Sequence, residues 1–449
     1  MLLDFADMSL TQKGKLYSEL YNKLKKAVVD GILKKGEKLP SVREAAAQLS
    51  VSRTTVENAY SRLCIEGIAE SIPQKGYFII GVPKFSPSPS CVPQKKQEII
   101  YDFSSRSVDA LASDIDLWKR LVRSVLLDSW ELNSYGDPQG EPSLRQALAN
   151  YSYKARGVIA LADNIIIGAG VGPLLNIICG LLERDITVGF ENGGFNEAKH
   201  IFSNYGIDVL NLHSDQNGAT ERELIDCDPD ILFLLPSALS KISPTVLSAR
   251  RNVFKTWANK NNRLIIEDDY NGELRYTARS IPAFQRMAPE STVYIGSFSK
   301  LLLPSVRIAY MVLPTVLAEK FRSLSYPYNQ TCGKIEQLAL EKYITCGALE
   351  KHLKKLRRLY YTKSQLMIRE IEKNFKNLHS LKLFESSLTV EIQITNKFNP
   401  QKLYDTALSH GVKIGGCKND TTIKLSFGGI DTEKIRDGIN LVAEIFKNL

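Results

Sequence analysis

Two short stretches carry residue types that could do chemistry together. The first is Glu267-Asp268-Asp269-Tyr270, which follows the apolar run Leu264-Ile265-Ile266. The second is Ile295-Gly296-Ser297-Phe298-Ser299-Lys300, with Arg307 seven residues on. An apolar run ending in carboxylates is the pattern of a buried parallel strand that delivers acids to the carboxyl edge of a sheet. The strand expected over 292–296 ends instead in small hydroxyls, a lysine and then an arginine. Pyridoxal phosphate (PLP) chemistry needs these types. A lysine amine forms the Schiff base, a carboxylate pairs with the pyridinium nitrogen, and hydroxyls with an arginine hold the phosphate. A lone Ser-x-Ser-Lys reads equally well as a solvated lysine in a serine-rich turn. Two strand ends of complementary chemistry are far more specific.

Such a site needs a large sheet to carry it, and the chain is long enough. Its 449 residues allow two or three domains with cores of their own. Hydrophobic residues make up 44% and charged residues 24%, ordinary for a water-soluble protein. No apolar run approaches the ~18 residues of a membrane span. The N-terminal MLLDFADMSL has acids where an export signal needs positive charge. Seven scattered cysteines, with no Cys-x-x-Cys pair, predict reduced thiols in a cytoplasm and no disulfide framework or metal site. A net charge of +9 permits a nucleic-acid partner without demanding one.

The front of the chain supplies such a partner by pattern. Apolar residues recur at helical spacing over 16–33 (Leu16, Leu20, Leu24, Val28), with Lys23, Lys25 and Lys26 on the other face. Ser41 caps a short helix over 42–49, with Glu44 at the third helical position as in a capping box. Ser50-Val51-Ser52 is a tight turn, and Ser52 caps a third helix over 53–67. Two helices joined this way make a helix-turn-helix. Residues 68–80 form two strands around Pro73-Gln74-Lys75-Gly76, a wing. Residues 1–81 hold 12 Lys and Arg against 9 Asp and Glu, so the motif, more than bulk charge, points to DNA. Residues 82–100 are rich in Pro and Ser and read as an extended linker, followed by a large domain over 101–449.

Within that domain, Ile165-Ile166-Ile167 reads as a buried strand. Gly168-Ala169-Gly170-Val171-Gly172 then opens a helix whose N-terminus offers backbone donors to a phosphate. Residues 231–235 read as another buried strand. The segment 350–363 is a basic helix, fit for a solvated face or for extra contact with a DNA backbone.

The wording of these stretches adds a resemblance. IIEDDYNGELRY and YIGSFSKLLLPSVRIAYMVLP resemble the MocR family, bacterial regulators that fuse a GntR-type DNA-binding domain to an aminotransferase-like domain. LPSVREAAAQLSVSRTTVENAYSRL resembles the GntR winged helix, over the domain at 10–81. The resemblance implies a multidomain chain: an N-terminal winged helix-turn-helix plus an α/β fold-type I PLP-dependent domain, its small subdomain over roughly 330–449. It implies Lys300 as the cofactor lysine, Asp268 as partner of the ring nitrogen and Tyr270 as the phenol beside the ring hydroxyl. Ser297, Ser299 and Arg307 resemble the phosphate ligands, to which Gly168, Ala169 and Gly170 add backbone donors. Tyr135, in Tyr-Gly-Asp-Pro-Gln-Gly, resembles a tyrosine that reaches the neighbouring subunit's cofactor phosphate; a packed loop tyrosine fits nearly as well. Phe195 suits either the ring-stacking aromatic or a core phenylalanine. Lys424 stands where the family has an arginine for a substrate or effector carboxylate. Arg43, Ser52, Arg53, Thr54, Thr55 and Lys75 sit where the family touches DNA, with Arg53 and Thr54 placed for the major groove.

The sequence also departs from the family. Gln74-Lys75-Gly76 replaces a Gly-x-Gly wing, and two glutamines are missing after Gly168-Ala169. Ala238-Leu239 replaces polar residues near the ring. The implied protein is a cytoplasmic transcription regulator binding a double-stranded operator. It is a homodimer with crossed winged-helix domains, and its effector is PLP or an amine-bearing metabolite. An active aminotransferase with an appended DNA-binding domain is the alternative, and a DNA-binding protein that has lost PLP is a third.

Overall fold

The computed structural model describes residues 16–81, 98–104, 108–109, 114–127, 132–191, 195–215, 218–236, 244–260, 263–276, 281–324, 329–376, 378–385 and 387–448. Most of the linker at 82–100 and the stretch holding Ala238-Leu239 lie outside them. The chain divides into two compact units, Met1–Lys96 and Gln97–Leu449.

The first unit packs three helices, α1 (Leu16–Val29), α2 (Val42–Gln48) and α3 (Arg53–Ile65), against a hairpin of β1 (Ala69–Ile72) and β2 (Gly76–Ile79). The first helix ends four residues before the expected 33. Gly31 takes a left-handed φ of 72°, which stops the helix and turns the chain. The expected capping box is present: Ser41 Oγ accepts the Glu44 N–H at 3.2 Å, and Glu44 accepts the Ser41 N–H at 2.9 Å. Leu20, Leu24, Val56, Tyr60 and Leu63 are fully buried in a core belonging to this unit alone.

The second unit is built on a seven-stranded sheet. Its strands in chain order are β3 (Ile165–Gly168), β4 (Thr187–Glu191), β5 (Asp208–Leu212), β6 (Ile231–Leu234), β7 (Leu264–Asp268), β8 (Thr292–Ser297) and β9 (Ala309–Val312). Across the sheet the order is 3-9-8-7-6-4-5, and only β9 runs antiparallel to its neighbours. Most of these strands are buried along their length, which is why they read as continuous apolar runs with no alternation. Helices α4 (Pro142–Arg156) and α5 (Val171–Leu181) cover the sheet near its β3 edge.

Register decides what the sheet presents. Asp268 pairs with Ile295, Ser297 with Ala309, and Ala309 with Gly168. The ends of β7, β8 and β3 and the start of β9 therefore fall on one edge. A second, antiparallel sheet of β10 (Leu378–Phe384), β11 (Thr389–Ile394), β12 (Cys417–Asn419) and β13 (Thr422–Ser426) packs with the 27-residue helix α6 (Ala348–Asn374). The basic helix expected over 350–363 is the first half of α6.

Candidate cofactor site and nucleic-acid interface

The edge formed by β7 and β8 collects acids of unlike fates. Glu267 is fully buried and accepts the N–H groups of Phe284 at 2.7 Å and Gln285 at 2.9 Å. Asp269 accepts Arg156 Nε at 2.5 Å, Arg156 Nη2 at 3.1 Å and the Tyr294 hydroxyl at 3.0 Å. A Cβ on Gly272 would come within 2.7 Å of Arg156 Nη2, so the ion pair needs glycine there. Asp268 lies between these two and shares neither network. It is 4% exposed, and its Oδ1 has no hydrogen-bond partner among the described residues. Burial first, and the nearby Asp269 charge second, push its carboxyl up to about 7. A buried oxygen left this way is costly unless something donates to it. A protonated ring nitrogen is the partner such a site fits.

Lys300 follows the end of β8 and is 6% exposed. Burial lowers its ammonium to about 8, because a buried charge loses its hydration. The neutral amine, the nucleophilic form, is then roughly a tenth of the population at neutral pH, far more than for an ordinary lysine. We expect the rate of covalent PLP capture to rise with pH and level off above about 8. Stopped-flow absorbance from pH 6 to 10 checks this; a rate still climbing toward the ordinary lysine range would contradict it.

Beside Lys300 stands a cup suited to a phosphate. Ser297 and Ser299 hydroxyls lie 3.2 Å apart, and Arg307 Nη1 donates to Ser299 Oγ at 3.4 Å. Arg307 holds a left-handed φ of 52°, a strained conformation for a residue with a side chain. Its guanidinium lies against Gly170, where a Cβ would meet Nη2 at 2.6 Å. At the start of α5 the amides of Val171 and Gly172 have no partner within the helix, Pro173 has no N–H, and no side chain caps the helix among the described residues. Gly168 is buried and Ala169 half-buried on the same loop. Thr331, which no local pattern pointed to, accepts the Ala169 N–H at 3.0 Å from 162 residues away.

Tyr270 is half-buried, and burial holds its phenol above the usual range. Phe195 precedes a helix and packs on the apolar core between the sheet and its helices. Tyr135 is fully exposed at 104%, although its loop is anchored by hydrogen bonds of Gln139 to Asp137, Asp163 and Ile165. Lys424 lies on β13 directly opposite Glu391 of β11, with Nζ 3.0 Å from that carboxylate. Its charge is thus engaged across the strands.

In the first unit Arg43, Ser52, Arg53, Thr54 and Lys75 are exposed and Thr55 is half-buried. Ser52 Oγ accepts the Thr55 N–H at 3.1 Å and lies 2.8 Å from Thr55 Oγ1. The Ser52 hydroxyl caps α3, leaving Arg53 and Thr54 outward at its N-terminus, where backbone donors also face an anion. Arg53→Ala and Arg43→Ala should each weaken operator binding, roughly tenfold for a base contact. Loss of a phosphate contact should flatten the plot of log affinity against log salt by about one unit. Fluorescence anisotropy over a salt series checks both, and unchanged binding by both variants would exclude this face.

Residues 16–79 match the gntR family of bacterial regulatory proteins, and residues 101–387 match aminotransferase class I and II. YdeL of Bacillus subtilis, an uncharacterized HTH-type transcriptional regulator, is 33% identical over 96% of this chain and 97% of its own. The HTH-type pyridoxine biosynthesis transcriptional regulator PdxR of Corynebacterium glutamicum is 28% identical, with 93% of each chain covered. The probable rhizopine catabolism regulatory protein MocR of Rhizobium meliloti is 26% identical over 96% of this chain and 94% of its own. An archaeal alanine:glyoxylate aminotransferase shares the fold, with a TM-score of 0.68 at 20% identity over 78% of this chain and 91% of that one. Among the described residues no helix is long and apolar enough to cross a membrane. The chain belongs to the MocR-type family of HTH-type transcriptional regulators, in which a gntR-family DNA-binding domain is joined to an aminotransferase class I and II domain.

Proposed function

We propose that this regulator binds PLP at the β7–β8 edge and that the state of that site sets its affinity for an operator. The observation that carries the reading is Asp268, buried beside two satisfied acids yet with an oxygen lacking a donor. The fold is that of a PLP-dependent family. When bound, PLP supplies an aldehyde electrophile and a ring that withdraws electrons. Lys300 would hold the cofactor covalently and Asp268 would keep the ring nitrogen protonated. Tyr270 would donate toward the ring hydroxyl and Phe195 would lie against the ring. Ser297, Ser299 and Arg307 would fix the phosphate at the start of α5; the N–H groups of Ala169 and Gly170, expected as donors, are instead engaged by Thr331 Oγ1 and the Gly168 carbonyl. Arg43, Ser52, Arg53, Thr54, Thr55 and Lys75 would meet the operator. The name of PdxR, a pyridoxine biosynthesis regulator related over most of both chains, supports a vitamin B6 compound as signal. An amine-bearing metabolite that displaces Lys300 is the other effector this chemistry admits.

The site is better equipped to hold a ligand than to turn one over. A carboxylate-bearing substrate must compete with Glu391 for Lys424, and lysine lacks arginine's planar fork. A misplaced substrate can lose ~100-fold in rate. The fully exposed Tyr135 suits a homodimer in which a second copy covers that loop, with the winged helices crossed between copies. Steady-state transamination over a panel of amino acids and keto acids tests the reading. We expect negligible turnover; sustained turnover at ordinary enzyme rates would favour an enzyme carrying a DNA-binding domain.

A further inference from the structure

The exposed face of α6 has no part in the site described above. At about 100° per residue, Lys351, Lys354, Lys355, Arg358, Arg369 and Lys373 fall within about 60° of one line along the helix. All six are exposed, as is Lys376 just past the helix end. Between them on this face lie Tyr361, Thr362 and Gln365, and Glu350 and Glu372 are the two acids among the exposed residues from 350 to 376. The opposite face, with Leu353, Leu356, Tyr360, Met367 and Ile371, is built into the core. Two ion pairs of α6 also lie off the stripe: Lys363 with Asp109, and Glu370 with Arg436. Lys351, Lys354, Lys355 and Arg358 line a groove with Asp109, Asp431 and Glu433; Asp109 is engaged by Lys363, and Asp431 lies 3.2 Å from Lys434.

Like charges three and four residues apart weaken a helix. The pairs 351/354, 351/355, 354/358, 355/358 and 369/373 all do so here. From residue 351 to residue 373 the stripe runs ~33 Å, about one turn of duplex DNA. A duplex presents phosphates along that whole length. An anionic membrane is a poorer match, because the apolar face it would need is buried.

We propose that this face of the second unit is an additional DNA-contact surface, taking the phosphate backbone of duplex outside the segment that the winged helix covers. It rests on the regulator reading and extends it from one DNA-binding surface to two. Such contacts carry no base preference; they add affinity and salt dependence.

The test uses the full chain and two duplexes, one holding the operator alone and one extended by about two helical turns on each side. One variant carries Lys351→Gln, Lys354→Gln, Arg358→Gln and Arg369→Gln. A control with the same charge loss carries Lys382→Gln, Lys397→Gln, Lys402→Gln and Lys447→Gln. All eight positions are exposed, and circular dichroism melts check each fold. We expect wild type to show the steeper salt dependence on the longer duplex. The stripe variant should lose about three units of that slope and roughly tenfold in affinity there, and bind the short duplex as wild type does. The control should keep the full slope. Equal binding of both duplexes by wild type would overturn the proposal, as would equal losses in the two variants. Loss of self-association with DNA binding unchanged would assign the stripe to a second copy instead. Failure of every form to bind either duplex would overturn the DNA-binding reading itself, and this proposal with it.

Discussion

Lys300→Ala should reduce borohydride-fixable PLP to background while leaving the protein folded. Reduction fixes the cofactor only where an amine has condensed with its aldehyde, so the readout is specific for the reacting lysine. Lys300 is buried at the edge, and burial has already lowered its ammonium to about 8. Most exposed lysines stay protonated at neutral pH and compete poorly. Removing a side chain whose charge the interior disfavours should cost the fold little. The cup of Ser297, Ser299 and Arg307 remains, so the variant should still bind the cofactor weakly and reversibly. Wild type should give one labelled peptide, holding residue 300. A variant that fixes as much PLP as wild type would show that another lysine is the anchor.

Arg156→Met should destabilise the second unit by about 3–5 kcal/mol, the cost of leaving one buried charge without its partner. Arg156 and Asp269 are 4% and 1% exposed, and they meet in a two-point contact supported by Tyr294. With the guanidinium gone, Asp269 keeps one hydroxyl donor and faces Asp268 and Glu273, whose carboxyls are already pushed up to about 7. The double variant Arg156→Met with Asp269→Leu should recover part of the loss, since no bare charge remains. All three tryptophans, at 118, 130 and 257, lie in the second unit. Intrinsic fluorescence in denaturant therefore reports this unit separately from the winged helix. A single variant within about 1 kcal/mol of wild type would show that the pair is solvated or replaceable.

What could be read in the sequence follows from how local each signal is. Strand ends with adjacent chemistry were legible because an apolar run and its terminal residues are contiguous: Leu264 to Asp268 and Thr292 to Lys300 needed no partner to be recognised. Helix caps were legible for the same reason, as Ser41 with Glu44 shows. Contacts set by register were not. Lys424 meets Glu391 because two strands 33 residues apart in sequence pair in one particular alignment. Thr331 reaches Ala169 across 162 residues, and Arg156 reaches Asp269 across 113. No period or spacing carries such information. The cationic stripe on α6 falls between. Its basic start was visible, but its full length depended on the helix running to Asn374.

We propose that the cofactor site and the operator site are coupled. A ligand shifts a conformational equilibrium only by binding its states unequally, and typical couplings change affinity ~5- to 150-fold. The direct measurement is operator affinity of the full chain, titrated with and without PLP at fixed salt, for wild type and for Lys300→Ala. We predict a change of at least several-fold in wild type, in either direction, and none or a much smaller one in the variant. Operator affinity that is the same with and without PLP in wild type, under conditions where borohydride shows Lys300 to be loaded, would contradict the account.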